Sequence, residues 1–185
     1  MSLRPSLMTL PILALVLSGL PALAQTTAND GAAVDAGGQP PMVTTDAAFI
    51  RQATSANLLE ILSSEQAARR GQSAEIRDFA IRMVADHKAA GAALAKAAGQ
   101  PALDATADPT AMLDPRHADL LATLDRAEAF DSAYVSLQRQ AHEEAIALFQ
   151  DYATNGEDGP VKEFAEATLP SLQQHLTAAQ ALPTP

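Results

Sequence analysis

Four ionisable residues stand where helical periodicity would keep a side chain dry: Glu60, His87, His142 and His175. Phe49, Ala53, Ala56, Glu60, Ser63 and Ala67 recur at spacings of three and four, so Glu60 lies within one face of a helix. His87 takes a place in the stripe Ile76, Ala80, Met83, His87, Ala90, Leu94, Ala97. His142 lies on the stripe Val135, Gln138, His142, Ala145, Phe149, and His175 on Val161, Ala165, Thr168, Leu172, His175, Ala179. Three imidazoles and a carboxylate make a donor set for a divalent transition ion such as zinc, copper or iron. Asp86 and Glu143 neighbour the histidines in sequence. Helical geometry turns them about 100° away, which puts them behind the ligands or on the surface. The same residues also have a plainer use. A lone histidine on an apolar stripe is usually a hydrogen-bonded core residue, and Glu60 and His87 could satisfy each other as a buried pair without any metal.

The elements that must position these side chains are all helical. Thr45 or Asp46 can cap a first helix over residues 46–70, with Gly71 as a stop in the left-handed conformation. Ser73 caps a second helix over 74–98, ended by Gly99 and Pro101, and Gly91 within it permits close approach of a neighbouring helix. Residues 101–115 carry three prolines and form a connection, followed by a short helix over 116–126 that holds His117 on the surface. A long helix follows over 128–152, then a turn at residues 155–159, then a last helix opened by Pro160. Pro170 should kink that helix, at a cost of about 3 kcal/mol if nothing compensates. No strand signal appears. The predicted fold is all-α, an up-down-up-down four-helix bundle over residues 46–182 with both short turns at one end.

Counting from the short turns gives the heights of the candidate ligands. His87 and His142 each lie about 15 residues from their turn, His175 about 18 and Glu60 about 11, which places the histidines within roughly 5 Å of one another in height. Side chains lean toward their own helix N-terminus, and this tilt further converges the four residues on one layer.

Composition supplies the address. Residues 1–24 combine a basic start at Arg4, an apolar middle and the ending Ala22-Leu23-Ala24, the pattern of a secretory signal cleaved after Ala24. Residues 25–45 are rich in Ala, Gly, Thr, Asp and Pro and are expected to form a disordered tether. No later apolar run approaches the ~20 residues needed to span a bilayer, so the expected location is the periplasm. The chain has no cysteine, which excludes disulfides, thiolate metal sites and a lipidated cysteine. With Arg4 removed, 11 of the 12 basic residues remain against 22 acidic ones. That balance disfavours nucleic acid, whose binding needs a basic face. Protein partners and oligomer formation are left open.

The segments Glu60-Ile61-Leu62, Gln66-Ala67-Ala68, Ile76-Arg77-Asp78-Phe79-Ala80 and Arg82-Met83-Val84-Ala85-Asp86-His87 resemble the bacterial exported family called domain of unknown function 4142. Residues 131–142 and Leu169-Pro170-Ser171-Leu172-Gln173-Gln174-His175-Leu176 extend the likeness, which covers residues 46–182. The resemblance implies a ferritin-like helical bundle, with Glu60, Asp86, His87, His142 and His175 at matching positions. Members are often labelled exported or outer-membrane proteins. The second label fits poorly as an integral claim, because no barrel-strand alternation appears. Di-iron bundles carry Glu-x-x-His, whereas here Val84, Arg139 and Leu172 stand three residues before the histidines. Iron storage and di-iron chemistry are therefore not expected. The leading functional reading is a non-enzymatic exported protein that binds a metal or small ligand in its core. The alternatives are a metal-dependent enzyme, for which no nucleophile-base set stands out, and a structural or stress-related interaction module.

Overall fold

Capping and turn chemistry set the helix limits. In the computed structural model, which describes residues 43–101 and 108–183, Thr45 accepts a hydrogen bond from the backbone N–H of Ala48 and opens helix α1, Asp46–Arg70. Ser73 does the same for Ile76 and opens α2, Ala74–Ala97. A 3-10 helix, Pro109–Met112, leads into α3, Pro115–Asp125, which Asp114 caps through the His117 N–H. Helices α4, Phe130–Asn155, and α5, Pro160–Ala181, complete the chain, and α5 continues through Pro170, which sits exposed. The described residues contain five α-helices and no strand.

Gly71 departs from expectation. Its φ is −55°, so it is not left-handed. A Cβ there would lie 2.7 Å from the Ala67 carbonyl oxygen, and glycine is needed for this close approach.

The long helices pack as a closed set of neighbours, α1 against α2 and α4, and α5 against α4 and α2. The expected up-down-up-down order, with both short turns at one end, is not what forms. The Asp131 carboxylate at the start of α4 accepts the N–H groups of Gln72 and Ser73 in the α1–α2 turn. At the other end, beside the α4–α5 turn, Tyr152 stacks on Phe49 with ring centroids 4.1 Å apart. The two short turns therefore lie at opposite ends, and α4 runs antiparallel to α1. The physical reason is the connection over residues 98–129. It is long enough to return to the other end of the bundle, a length that the 24 residues of α2 set at about 36 Å. Within it α3 climbs the groove between α1 and α4, from Ser55 up to Arg70, which pairs with Asp125.

Two apolar clusters fill the interior. Leu59, Phe79, Met83, Tyr134 and Val135 belong to the one at the α1–α2 turn. Phe49, Leu94, Phe149, Tyr152 and Val161 belong to the one at the α4–α5 turn. Burying each such large side chain contributes about 1.5–3 kcal/mol. Val43 is buried and donates its N–H to Asp151, so packing begins before the tether boundary expected at residue 45. The expected signal segment and the tether up to residue 42 lie outside the described residues.

Candidate metal centre

Between the two apolar clusters the helices present a polar layer. Glu60 comes from α1, His87 from α2, His142 from α4 and His175 from α5, and all four are buried. The three imidazoles form a near-equilateral triangle, with ring centroids 5.6 Å apart for His87–His142 and 5.5 Å for each of the other two pairs.

One nitrogen of each ring is held by an acceptor. His87 donates Nδ1–H to Asn57 Oδ1 at 3.0 Å. His142 donates Nδ1–H to the Gln138 carbonyl, one turn back on its own helix, at 2.9 Å. His175 donates Nε2–H to the Asp86 carboxylate at 3.0 Å. These contacts fix the tautomers. They leave His87 Nε2, His142 Nε2 and His175 Nδ1 buried with no hydrogen-bond partner. One nitrogen from each ring can be chosen so that the three lie within 4.8 Å of one another. Buried polar atoms are normally paired, and leaving one unpaired costs roughly 1–3 kcal/mol. Three together on lone-pair-bearing nitrogens make a donor set without an acceptor of those pairs. An ion bonded at about 2.0–2.1 Å to each nitrogen requires spacings of roughly 3.3–3.6 Å, so nitrogens at the 4.8 Å limit must close in by about 1–1.5 Å to hold one.

Electrostatics favour the metal-ready form. Burial, reinforced by the neighbouring His142 and His175, pushes the His87 imidazole down to about 3. Burial also lowers His175, against the opposing pull of Asp86. These two rings are therefore neutral at neutral pH, as metal ligation requires.

The structure brings together His87, His142 and His175 but sets Glu60 beside them. Its Oε1 lies 3.6 Å from His142 Nδ1, too long for a hydrogen bond and on the side of the ring turned to Gln138. Neither Glu60 oxygen, both buried, makes a hydrogen bond of normal geometry, and burial raises its carboxyl above the usual range against the opposing influence of His142 and the nearby Gln138 side chain. Asp86 does stand behind a ligand, but behind His175 on a neighbouring helix. Glu143 is exposed, and no bond ties it to the histidines.

Asn57 escaped the sequence reading. The available signal was Asn57 one turn before Glu60 together with Gly91 one turn after His87. A Cβ on Gly91 would lie 3.0 Å from Asn57 Nδ2, so the glycine makes room for the amide that holds His87. His117, expected on the surface, is half-buried. Its Nδ1 lies 2.7 Å from Ser55 Oγ and 2.9 Å from Asp114 Oδ2. The sequence offers no reason to pair it with Ser55, because α3 reaches α1 only through the long connection.

A family model described as domain of unknown function (DUF4142) matches residues 31–182. No curated protein matches the sequence. A solved structure described as CopM in the Cu(II)-bound form is similar with a TM-score of 0.56 at 17% identity, over 75% of this chain and 95% of that one. At that identity the likeness concerns the fold.

Proposed function

The chain belongs to the DUF4142 family, and from that premise we propose that it is an exported protein that holds one divalent transition-metal ion in its core, copper(II) foremost. The observation that carries the reading is a set of three buried imidazoles, one from each of three helices, with one nitrogen of each within 4.8 Å of the others and one buried nitrogen of each left without a partner. His87 Nε2, His142 Nε2 and His175 Nδ1 are the proposed ligands. Asn57, the Gln138 carbonyl and Asp86 orient them, in the way that acceptors behind metal-bound histidines raise ligand basicity. Glu60 and Asp86 offset the two positive charges of the ion. Copper(II) is favoured over zinc and iron(II) because nitrogen sites bind it most tightly among these divalent ions. The similar fold described in a Cu(II)-bound form adds support for copper.

The frame on this reading is a four-helix bundle of ferritin-like architecture with one crossover connection. The periplasm is the proposed address, from the N-terminal signature at residues 1–24. No helix among the described residues is long and apolar enough to cross a membrane.

Elemental analysis of the untagged chain after loading, with electron paramagnetic resonance of the copper form, tests the proposal. The expected result is about one ion per chain and hyperfine structure from imidazole nitrogens. Absence of bound copper, zinc and iron after loading would remove it.

A further inference from the structure

The cavity lined by the three imidazoles extends beyond the rings. It is about 50 Å³, and its wall includes Leu94 and Phe149, half-buried Ala90 and Thr168, and exposed Ser171. It thus reaches the surface along the seam where α2 packs on α5. A water needs at least about 10–15 Å³ of such space, so the cavity holds roughly three or four waters or one ligand of two or three heavy atoms. Apart from Asn57, Glu60 and Asp86 beside the rings, its walls are mostly methyl, methylene and phenyl groups, unsuited to a hydrated or multiply charged molecule.

The coordination shell points to the same place. A four-coordinate ion bound by three imidazoles needs one more donor. Among the described residues no other histidine or carboxylate joins the converging set. Asp86 is committed to His175, and Glu60 faces the far nitrogen of His142.

We infer that the fourth ligand is exogenous, a molecule of two or three heavy atoms, uncharged or carrying one negative charge, that enters by the α2–α5 seam. The inference rests on the metal reading above and adds to it that the centre is open on one apolar side.

Azide is the probe. The full chain is loaded with copper(II), its copper content is measured, and azide is titrated while absorption and electron paramagnetic resonance are followed. The expected result is a new azide-to-copper charge-transfer band with a shifted resonance. Ala90→Phe and Thr168→Phe, which narrow the seam away from the ligand nitrogens, should each weaken azide by at least about tenfold while copper content is unchanged. Two separate positions guard against one variant failing to fold, and melting curves identify such a failure. A copper-loaded chain whose spectra ignore azide overturns this inference and leaves the metal reading standing. So does azide binding that appears only in Glu60→Gln, since that carboxylate would then fill the fourth position. Unchanged azide affinity in both folded seam variants overturns the route. A chain that takes up no metal overturns both.

Discussion

Ser55 and Glu60 stand little more than one turn apart on α1 and face different histidines. Ser55 meets His117 and Asp114 in the groove under α3, and there the polar groups answer one another. The Ser55 hydroxyl accepts the Asp114 N–H, and it lies 2.7 Å from His117 Nδ1 and 3.2 Å from Asp114 Oδ2. Asp114 in turn accepts the His117 N–H. Glu60 meets the core layer, where each imidazole has one nitrogen engaged and one left over. Both places combine histidine with carboxylate, but only the core layer is closed to water, since the Asp114 side chain is partly exposed. The first is a latch that ties a connecting helix to the frame, complete without a ligand. The second is incomplete without something that accepts lone pairs. A histidine held at one ring nitrogen is therefore not marked as a ligand by that contact, whereas a second nitrogen that is buried and has no partner does mark one, and His117 has no such atom.

The largest test of this contrast is removal of one imidazole from each place. At copper roughly a thousand times its Kd, the ion should stabilise the chain by about 4 kcal/mol. His142→Ala or His87→Ala should abolish that gain, read as loss of the copper-induced rise in Tm, whereas His117→Ala should keep it. Equal losses from the latch and the core would erase the distinction.

Acid supplies the next test, on metal-free protein. His87 is held near 3 in the folded state, against 6.5 when free. The unfolded chain therefore binds more protons between those values, and stability falls as pH drops below 6.5. The loss approaches about 1.4 kcal/mol per pH unit for this residue, or about 2 kcal/mol at pH 5. Burial lowers His117 as well, but Asp114 resists the shift, so the latch should contribute a smaller slope. Glu60 acts in the opposite sense. Its folded carboxyl keeps its proton above 4.5, so its contribution falls as pH rises through that range. Denaturant titrations in Glu60→Gln should therefore show a steeper acid loss than in the parent, and His87→Phe should flatten it. An unchanged slope in His87→Phe would show that the core ring is not held neutral.

Much of this contrast is legible in the sequence, and what is missing has a common cause. Helix limits follow from caps and periodicity, which are local, and they place Glu60 and the three histidines on inward stripes. The topology does not follow, because the path of residues 98–129 depends on where α3 docks. Reversing the assumed direction of α4 and α5 nevertheless left the match in height between His87 and His142 intact, though not the estimate for His175, which lies past the middle of α5. His87 and His142 lie near the middle of helices of similar length, and a mid-helix residue keeps its height when the helix is inverted. Asp86 on His175, Asn57 on His87 and His117 on Ser55 are contacts between helices. Each depends on rotation and register that no single stripe encodes.

Substitutions in the two polar clusters should then differ in sign. Ser55→Ala leaves the Asp114 N–H without its acceptor and the His117 ring with Asp114 alone, and should cost about 1.5 kcal/mol, with copper affinity unchanged. Glu60→Gln removes a buried carboxyl whose oxygens make no hydrogen bond of normal geometry. It should leave the metal-free chain up to about 1 kcal/mol more stable while weakening copper, because a nearby negative charge is lost. Urea unfolding with and without copper separates these outcomes. Destabilisation of the metal-free chain by both would place Glu60 in a satisfied network like that of Ser55.

The smallest effect tests whether the core layer is positioned from behind. Gly91 has no Cβ, and the space it leaves is filled by the Asn57 amide whose Oδ1 accepts from His87. In Gly91→Ala the new methyl would stand 3.0 Å from Asn57 Nδ2, so the amide must shift by a few tenths of an ångström. Loss of an orienting partner of a metal-bound histidine costs about 10- to 100-fold in affinity. Asn57→Ala should fall in that range, and Gly91→Ala at its lower end, near tenfold. Alanine in place of glycine favours the helix by up to about 1 kcal/mol, so the metal-free chain should not be weakened. A double-mutant cycle decides whether the glycine acts through the amide. If it does, Gly91→Ala adds nothing once Asn57 is alanine. If the two losses add, Gly91 affects the centre by another route and Asn57 does not relay its effect.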